Sequence, residues 1–260
     1  MAFYPQKVQS YEKRMETALG NYIFSRQKEL ILDLVNPHAG ERVLDVGCGA
    51  GDHLQLFREK WCSVTGIDTC ADSLNFGRSK FGEGTEFVLG QAEDLPFSDD
   101  DFDIVTLINV LEMANNPQKV IAEAIRVCRG RVFIGFINNC SFAGTKQRLK
   151  KMFGLPLTQK IRFLSLNEIK IIVGSLIGDV AFKWGSVIYF PGIFYGFSEE
   201  LEELFPLEKN PLGAFAGLVF PVKYNFRTVQ NAIMEPFQLN AEAHAGVSGT
   251  VRNMLRKVYK

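Results

Sequence analysis

Val43-Leu44-Asp45-Val46-Gly47-Cys48-Gly49-Ala50-Gly51-Asp52 runs from a short apolar stretch straight into a glycine-rich turn. The apolar stretch reads as a buried strand, and residues 52–60 beyond the turn read as a helix. Glycines at such a junction let the backbone turn sharply and let a ligand touch the main chain, and the helix start offers unpaired N–H groups. Taken alone, the same turn also fits a tight loop that binds nothing.

The texture on either side gives the turn its context. Residues 64–67, 87–89, 104–108 and 132–136 are further short apolar runs, and residues 71–81 and 117–128 are amphipathic stretches between them. Asn116 and Pro117 stand where an N-cap and a first helical residue belong. Alternation of this kind predicts a parallel sheet with helices on both faces. Ser165-Leu166-Asn167-Glu168 is a capping-box pattern that opens a helix to about residue 175, and strands are predicted near 179–189 and 214–222. Before the sheet, Met15, Leu19, Tyr22, Ile23, Leu30, Ile31 and Leu34 have helical spacing interrupted at Gly20-Asn21, which predicts two helices. A basic helix at 145–152, an acidic one at 198–204 and an amphipathic terminal one through Val247, Val251, Met254, Leu255 and Val258 complete the reading.

Composition narrows the partners. Lys plus Arg and Asp plus Glu both number 29 in 260 residues, so no global field draws the chain to nucleic acid or an anionic membrane. The five cysteines, Cys48, Cys62, Cys70, Cys128 and Cys140, contain no C-x-x-C pair, which predicts free thiols in a reducing, cytoplasmic setting. His38, His53 and His244 are not spaced as metal ligands, and no metal is expected. The first residues lack an apolar signal region, and no apolar stretch is long enough for a membrane span.

Chemistry concentrates around the glycine turn. A dinucleotide fingerprint G-x-G-x-x-G needs a third glycine where Asp52 stands. Asp45, two residues before Gly47, would repel a pyrophosphate but attract the ammonium of a bound amino acid. Asp68 ends the second strand and is placed to accept both hydroxyls of a ribose; its alternative role is to cap the helix at 71–81. The third strand leads into Gly90-Gln91-Ala92-Glu93-Asp94-Leu95-Pro96-Phe97, and Phe102-Asp103-Ile104-Val105 follows.

VLDVGCGAG, VTGID, GQAEDLPF and FDIV, in this order and spacing, resemble the four successive motifs of class I SAM-dependent methyltransferases, particularly the small-molecule group that includes quinone-biosynthesis C-methyltransferases. The resemblance is strongest over residues 41–136. It implies a Rossmann-like α/β fold with a seven-stranded, mostly parallel sheet, helices on both faces and the last strand antiparallel. It also implies S-adenosyl-L-methionine (SAM) as cofactor and S-adenosyl-L-homocysteine (SAH) as product. Carried onto matching positions, Asp45, Gly47, Cys48 and Gly49 would line the methionine and ribose end, Asp68 would bind the ribose hydroxyls, and Thr69 would pack beside the adenine. Gln91 (where the family usually has Asp), Ala92 and Glu93 would lie at the adenine edge, Asn109 would face the methionine part, and Tyr11 would come from the N-terminal helix that covers the cofactor in relatives.

The expected organisation is N-terminal helices over the cofactor site at 1–40, a methyltransferase domain at 41–224 with lid and acceptor elements near 138–178 and 190–212, and an extension at 225–260. A small-molecule acceptor is the expected substrate; the Phe- and Tyr-rich stretch 185–222 fits an apolar or aromatic acceptor pocket or a subunit interface, and ordinary core accounts for most of it. Where relatives read L-H-H or L-E-H, this chain has Leu111-Glu112-Met113, so a histidine base is missing and Glu112 is the catalytic candidate beside a packing or cofactor-facing role. His53 reads as a surface helix residue, and the basic run Lys146–Arg162 as a solvated face or a binder of an anionic acceptor group. The terminal helix either docks on its own chain or exchanges with a second copy in a homodimer. Three other functions compete: a non-catalytic SAM-binding regulator or scaffold, a methyltransferase of RNA or protein, and an NAD-dependent oxidoreductase.

Overall fold

The computed structural model describes residues 17–138, 164–189 and 210–222. In chain order its elements are α1 (Ala18–Val35), β1 (Arg42–Val46), α2 (Asp52–Arg58), β2 (Ser63–Asp68), α3 (Ala71–Phe81), β3 (Glu86–Leu89), β4 (Phe102–Ile108), α4 (Pro117–Val127), β5 (Cys128–Ile137), α5 (Leu166–Ile177), β6 (Lys183–Val187) and β7 (Phe215–Pro221). The seven strands form one sheet in the order β3-β2-β1-β4-β5-β7-β6. Neighbours among the first five strands are parallel. Only β7 runs the other way, paired with β5 on one side and β6 on the other.

Side-chain alternation explains why the strands are so apolar. Val43, Ile104 and Phe133 face a core built with α1, α2 and α3, whereas Leu44, Val46, Val105, Leu107, Val132, Ile134 and Phe136 face one built with α4 and α5. With helices on both faces, the middle positions of the central strands are buried on either side and most of the polar half of the usual alternation disappears.

Two expectations about element boundaries change. The N-terminal helix is not broken at Gly20-Asn21: Thr17 is its N-cap, its side chain accepts from the Gly20 N–H at 3.1 Å, and the helix runs unbroken to Val35. Gly20 therefore falls in the first turn, where it interrupts nothing. β5 begins at Cys128, four residues before the apolar run, because its polar start is held by ion pairs. Arg129 pairs with Asp103 at 2.6 Å, and Arg131 makes two 2.8 Å contacts to Glu41 while donating to the Val35 carbonyl that ends α1.

The expected caps are present. Asn116 accepts from the Lys119 N–H with Pro117 at the first helical position, and Ser165 and Glu168 form a reciprocal capping box. Among the described residues, no helix is long and apolar enough to cross a membrane. The predicted helices at 145–152, at 198–204 and at the terminus lie outside the described residues, as do Tyr11 and the basic run from Lys146 to Arg162.

Candidate functional site

The strand order reverses between β1 and β4, and in open α/β sheets the crevice beyond the carboxyl ends of the strands at such a point is where ligands bind. The glycine turn lies there. Gly47, Gly49 and Gly51 all have left-handed backbone, with φ of 73°, 56° and 87°. The N–H groups of Gly47 and Cys48 both donate to the Ile67 carbonyl, at 2.7 and 3.1 Å, which fastens the turn to the end of β2. The glycines differ in what surrounds them. A Cβ on Gly47 would lie 2.5 Å from Val110 Cγ2, so the turn presses on the exit of β4. A Cβ on Gly49 would meet nothing within 4 Å among the described residues, so Gly49 borders space that they leave open.

Two carboxylates lie at the carboxyl ends of the neighbouring strands β1 and β2, beside the turn. Asp45 is buried, and Thr106 Oγ1 donates to its Oδ1 at 2.6 Å. Burial pushes its pKa up to about 7; the Thr106 bond opposes this and the charges of Asp68 and Asp52 add to it. Asp68, half-buried at the end of β2, accepts from the Gly49 N–H at 2.9 Å through Oδ2 and from the Cys70 N–H at 2.8 Å through Oδ1. Asp68 thus ties the glycine turn to the loop after β2. It does not cap α3, whose N-cap residue is Cys70 with no side-chain cap bond.

The exit of β4 forms the adjoining wall. Asn109 has φ of 55°, and its N–H donates to the Gly135 carbonyl at 2.8 Å, which extends the β4–β5 ladder by one rung. Its Oδ1 is buried with no hydrogen-bond partner. Glu112, 4% exposed, accepts from the Ile137 N–H at 2.7 Å through Oε1, while its Oε2 is buried without a partner. Burial pushes the Glu112 carboxyl above its ordinary range, and the bond from the Ile137 N–H and then that from its own backbone N–H work against it.

The remaining candidates are spread around these two walls. Thr69 and Gln91 are exposed, and Gln91 forms an isolated backbone bridge to Asp94. Ala92 packs at the edge of the core, and Glu93 Oε1 accepts from the Asn115 N–H at 3.2 Å, so it joins the loop after β3 to the loop after β4. The Cys48 side chain points inward: it is buried, its sulfur would sit 2.6 Å from a Cβ on Gly66, and only its backbone is left to meet a ligand. His53 departs from its predicted surface role. Its ring lies 5.7 Å from that of Phe24, its Nε2 is buried without a hydrogen bond, and burial lowers its pKa to about 4, so it is neutral at pH 7. Thr106 was not singled out in the sequence; the signal was a lone hydroxyl inside the apolar run of β4.

Cavities open at two places away from the glycine turn on the described residues. One of about 340 Å³ lies by Arg42, Ser63 and Glu86, the amino ends of β1, β2 and β3, away from the carboxylates. The other, about 290 Å³, is lined by Asn138, Ser165, Lys170, Trp184 and Asn210 beyond the carboxyl end of β5. There the Lys170 ammonium sits 5.4 Å from the Trp184 ring centre.

The donor set suits a cation that also carries hydroxyls. Asp45, Asp68 and Asp52 set a negative field at the turn, and among the described residues Asp52 alone of the three has an ion-pair partner, Lys80 at 2.6 Å. A pyrophosphate would meet repulsion there, whereas an ammonium or sulfonium would relieve the mutual repulsion of the carboxylates.

Residues 44–134 match the family model described as "Methyltransferase domain". The chain is similar to the demethylmenaquinone methyltransferase of Renibacterium salmoninarum, 31% identical over 119 residues, which covers 45% of this chain and 50% of that protein. It is similar to the fatty-acid O-methyltransferase of Mycolicibacterium smegmatis, 37% identical over 93 residues, or 35% and 34% of the two chains. The matches thus span about half the length of such relatives or less. Among solved structures, a SAM-dependent methyltransferase from Thermotoga maritima superposes with a TM-score of 0.66 at 20% identity, covering 84% of this chain and 97% of that one. That likeness is one of fold.

Proposed function

We propose that this chain, whose residues 44–134 match the "Methyltransferase domain" family model, is a class I SAM-dependent methyltransferase that binds SAM at the turn after β1 and transfers its methyl group to a small-molecule acceptor. The observation that carries the proposal is that Asp45 and Asp68, close enough for their charges to interact, lie at the carboxyl ends of neighbouring strands beside one left-handed glycine turn, with Asp68 bonded to Gly49 and open space at Gly49.

In this reading Asp45 holds the ammonium of the methionine part and Asn109 Oδ1 accepts from the same end. Asp68 takes the ribose hydroxyls; its oxygens already accept from Gly49 and Cys70, but each has a second lone pair, so the two ties survive. Gly47, Cys48 and Gly49 contribute backbone, and Thr69, Gln91, Ala92 and Glu93 border the adenine. When bound, SAM supplies an activated methyl on a positively charged sulfur with its own leaving group. The chain's task is then to hold acceptor and methyl in line and to exclude water, and such positioning can supply much of the rate. The cavity at Asn138 and Trp184 lies in the stretch read as acceptor-binding, and its size suits a small, partly aromatic molecule. A cytoplasmic setting accords with the buried Cys48, Cys62 and Cys128, none of which is in a disulfide among the described residues.

The test is release of SAH on mixing the full chain and SAM with a panel of small phenols, quinols, fatty acids and amines. Turnover of at least one, reduced at least tenfold in Asp68→Ala, is expected. A non-catalytic SAM-binding protein, favoured by Met113 standing where relatives carry histidine, would bind SAM and turn over none of them.

A further inference from the structure

The main chain explains one half of the Glu112 carboxyl group and leaves the other half unexplained. β4 and β5 pair in parallel as far as Ile108 and Gly135, and Asn109 adds one more backbone bond before turning away in left-handed conformation. The next inward N–H of β5, that of Ile137, has lost its strand neighbour, and Glu112 Oε1 replaces it at 2.7 Å. Oε2 is carried to the same depth. It has no hydrogen-bond partner in a residue that is 4% exposed. A buried carboxyl oxygen left unpaired costs about 1–3 kcal/mol, more when charged, so a group that persists this way points to a donor supplied from outside the protein.

The position of Oε2 limits what that donor is. Glu112 lies at the carboxyl ends of β4 and β5, one strand over from the β1–β4 crevice proposed for the cofactor, and its Oε1 is bonded to Ile137, the residue before Asn138, which lines the cavity beyond β5. We propose that Glu112 Oε2 receives the polar hydrogen of the methyl acceptor, so that the acceptor presents an O–H or N–H there and methylation occurs on oxygen or nitrogen. This rests on the methyltransferase reading above. In the step, a lone pair of the acceptor heteroatom forms the bond to the methyl carbon, and the carbon–sulfur bond breaks with its pair going to sulfur. The acceptor's proton passes to Oε2, turning the carboxylate into a carboxylic acid, and returns to solvent once product leaves. Burial helps here: a carboxylate that binds protons more tightly than usual is a better base.

The test uses the full chain saturated with SAH, with calorimetry first. Failure to bind SAH would remove the methyltransferase reading itself. If SAH binds, a crystal structure of the complex is expected to show Oε2 within hydrogen-bonding reach, about 2.6–3.2 Å, of a water or bound molecule in a space continuous with the methyl-facing side of sulfur. An Oε2 bonded to a protein donor, or sealed from the sulfur, would overturn the proposal while leaving the cofactor site standing. Glu112→Gln provides the second readout. Its side-chain carbonyl can still accept from Ile137, so SAH affinity within threefold of wild type is expected, but its NH2 offers a donor where an acceptor is needed. With any O–H or N–H acceptor that turns over, kcat should fall at least a hundredfold, and the rise of wild-type kcat with pH should disappear. Equal kcat in the two proteins, or a product methylated on carbon, would also overturn it.

Discussion

Asp45 is buried where its charge is costly, with the Thr106 hydroxyl as its hydrogen-bond donor. Its carboxyl moves from an ordinary 3.8 to about 7 on folding, so the folded protein binds that proton more tightly than the unfolded chain. The group therefore begins to destabilise the fold as pH rises past 3.8, the penalty grows to about pH 7, and it is constant above that. Asp103 and Glu123 contribute in the opposite sense, because the bonds to Arg129 and Arg126 hold them below the usual carboxylate range. Asp45→Asn keeps an acceptor for Thr106 and removes only the charge. Chemical denaturation should find Asp45→Asn more stable than wild type by about 1–3 kcal/mol at pH 8, with the difference fading as pH falls toward 4. The same variant should bind SAH at least tenfold more weakly. A variant that is less stable than wild type at pH 8 would mean that Asp45 is held by a cation within the protein.

At the scale of the turn, two glycines separate folding from binding. A side chain on Gly47 collides with Val110 at 2.5 Å in addition to its unfavourable φ, whereas one on Gly49 meets open space and has only the φ to overcome. Gly49→Ala should cost about 1 kcal/mol, the usual penalty of left-handed backbone, while its methyl group enters the ligand's space and abolishes SAH binding. Gly47→Ala should cost several kcal/mol and lower thermal stability whether or not ligand is present. Comparable melting temperatures for the two variants would contradict this division.

The same scale shows what the sequence disclosed. β1 to β4 and their helices were legible because strands buried on both faces become unbroken apolar runs, and the caps at Asn116 and Ser165 announce themselves by residue type. The start of β5 was hidden because Arg129 and Arg131 look like loop residues until Asp103 and Glu41 are known to be beside them. In the site, the positions of Asp45, Asp68 and the glycines were legible, and the inward turn of Cys48 was not, since a short side chain after a glycine can point either way. Nor could the residue type of Glu112 reveal that one oxygen completes a ladder and the other is left unpaired.

For the molecule as a whole, a sheet whose order reverses between β1 and β4 creates a crevice, and the residues at its mouth determine which ligand enters. The fold alone does not choose among ligands. The choice rests on carboxylates at the turn where a dinucleotide site would want glycine and N–H groups. Calorimetric titration of the full chain with SAM, SAH and NAD, repeated with Asp68→Ala, measures that choice. SAM and SAH should bind with Kd in the micromolar range, about −7 to −8 kcal/mol, NAD should not bind, and Asp68→Ala should lose both nucleosides while remaining folded. Folded wild-type protein that binds NAD, or that binds neither SAM nor SAH, would contradict the assignment.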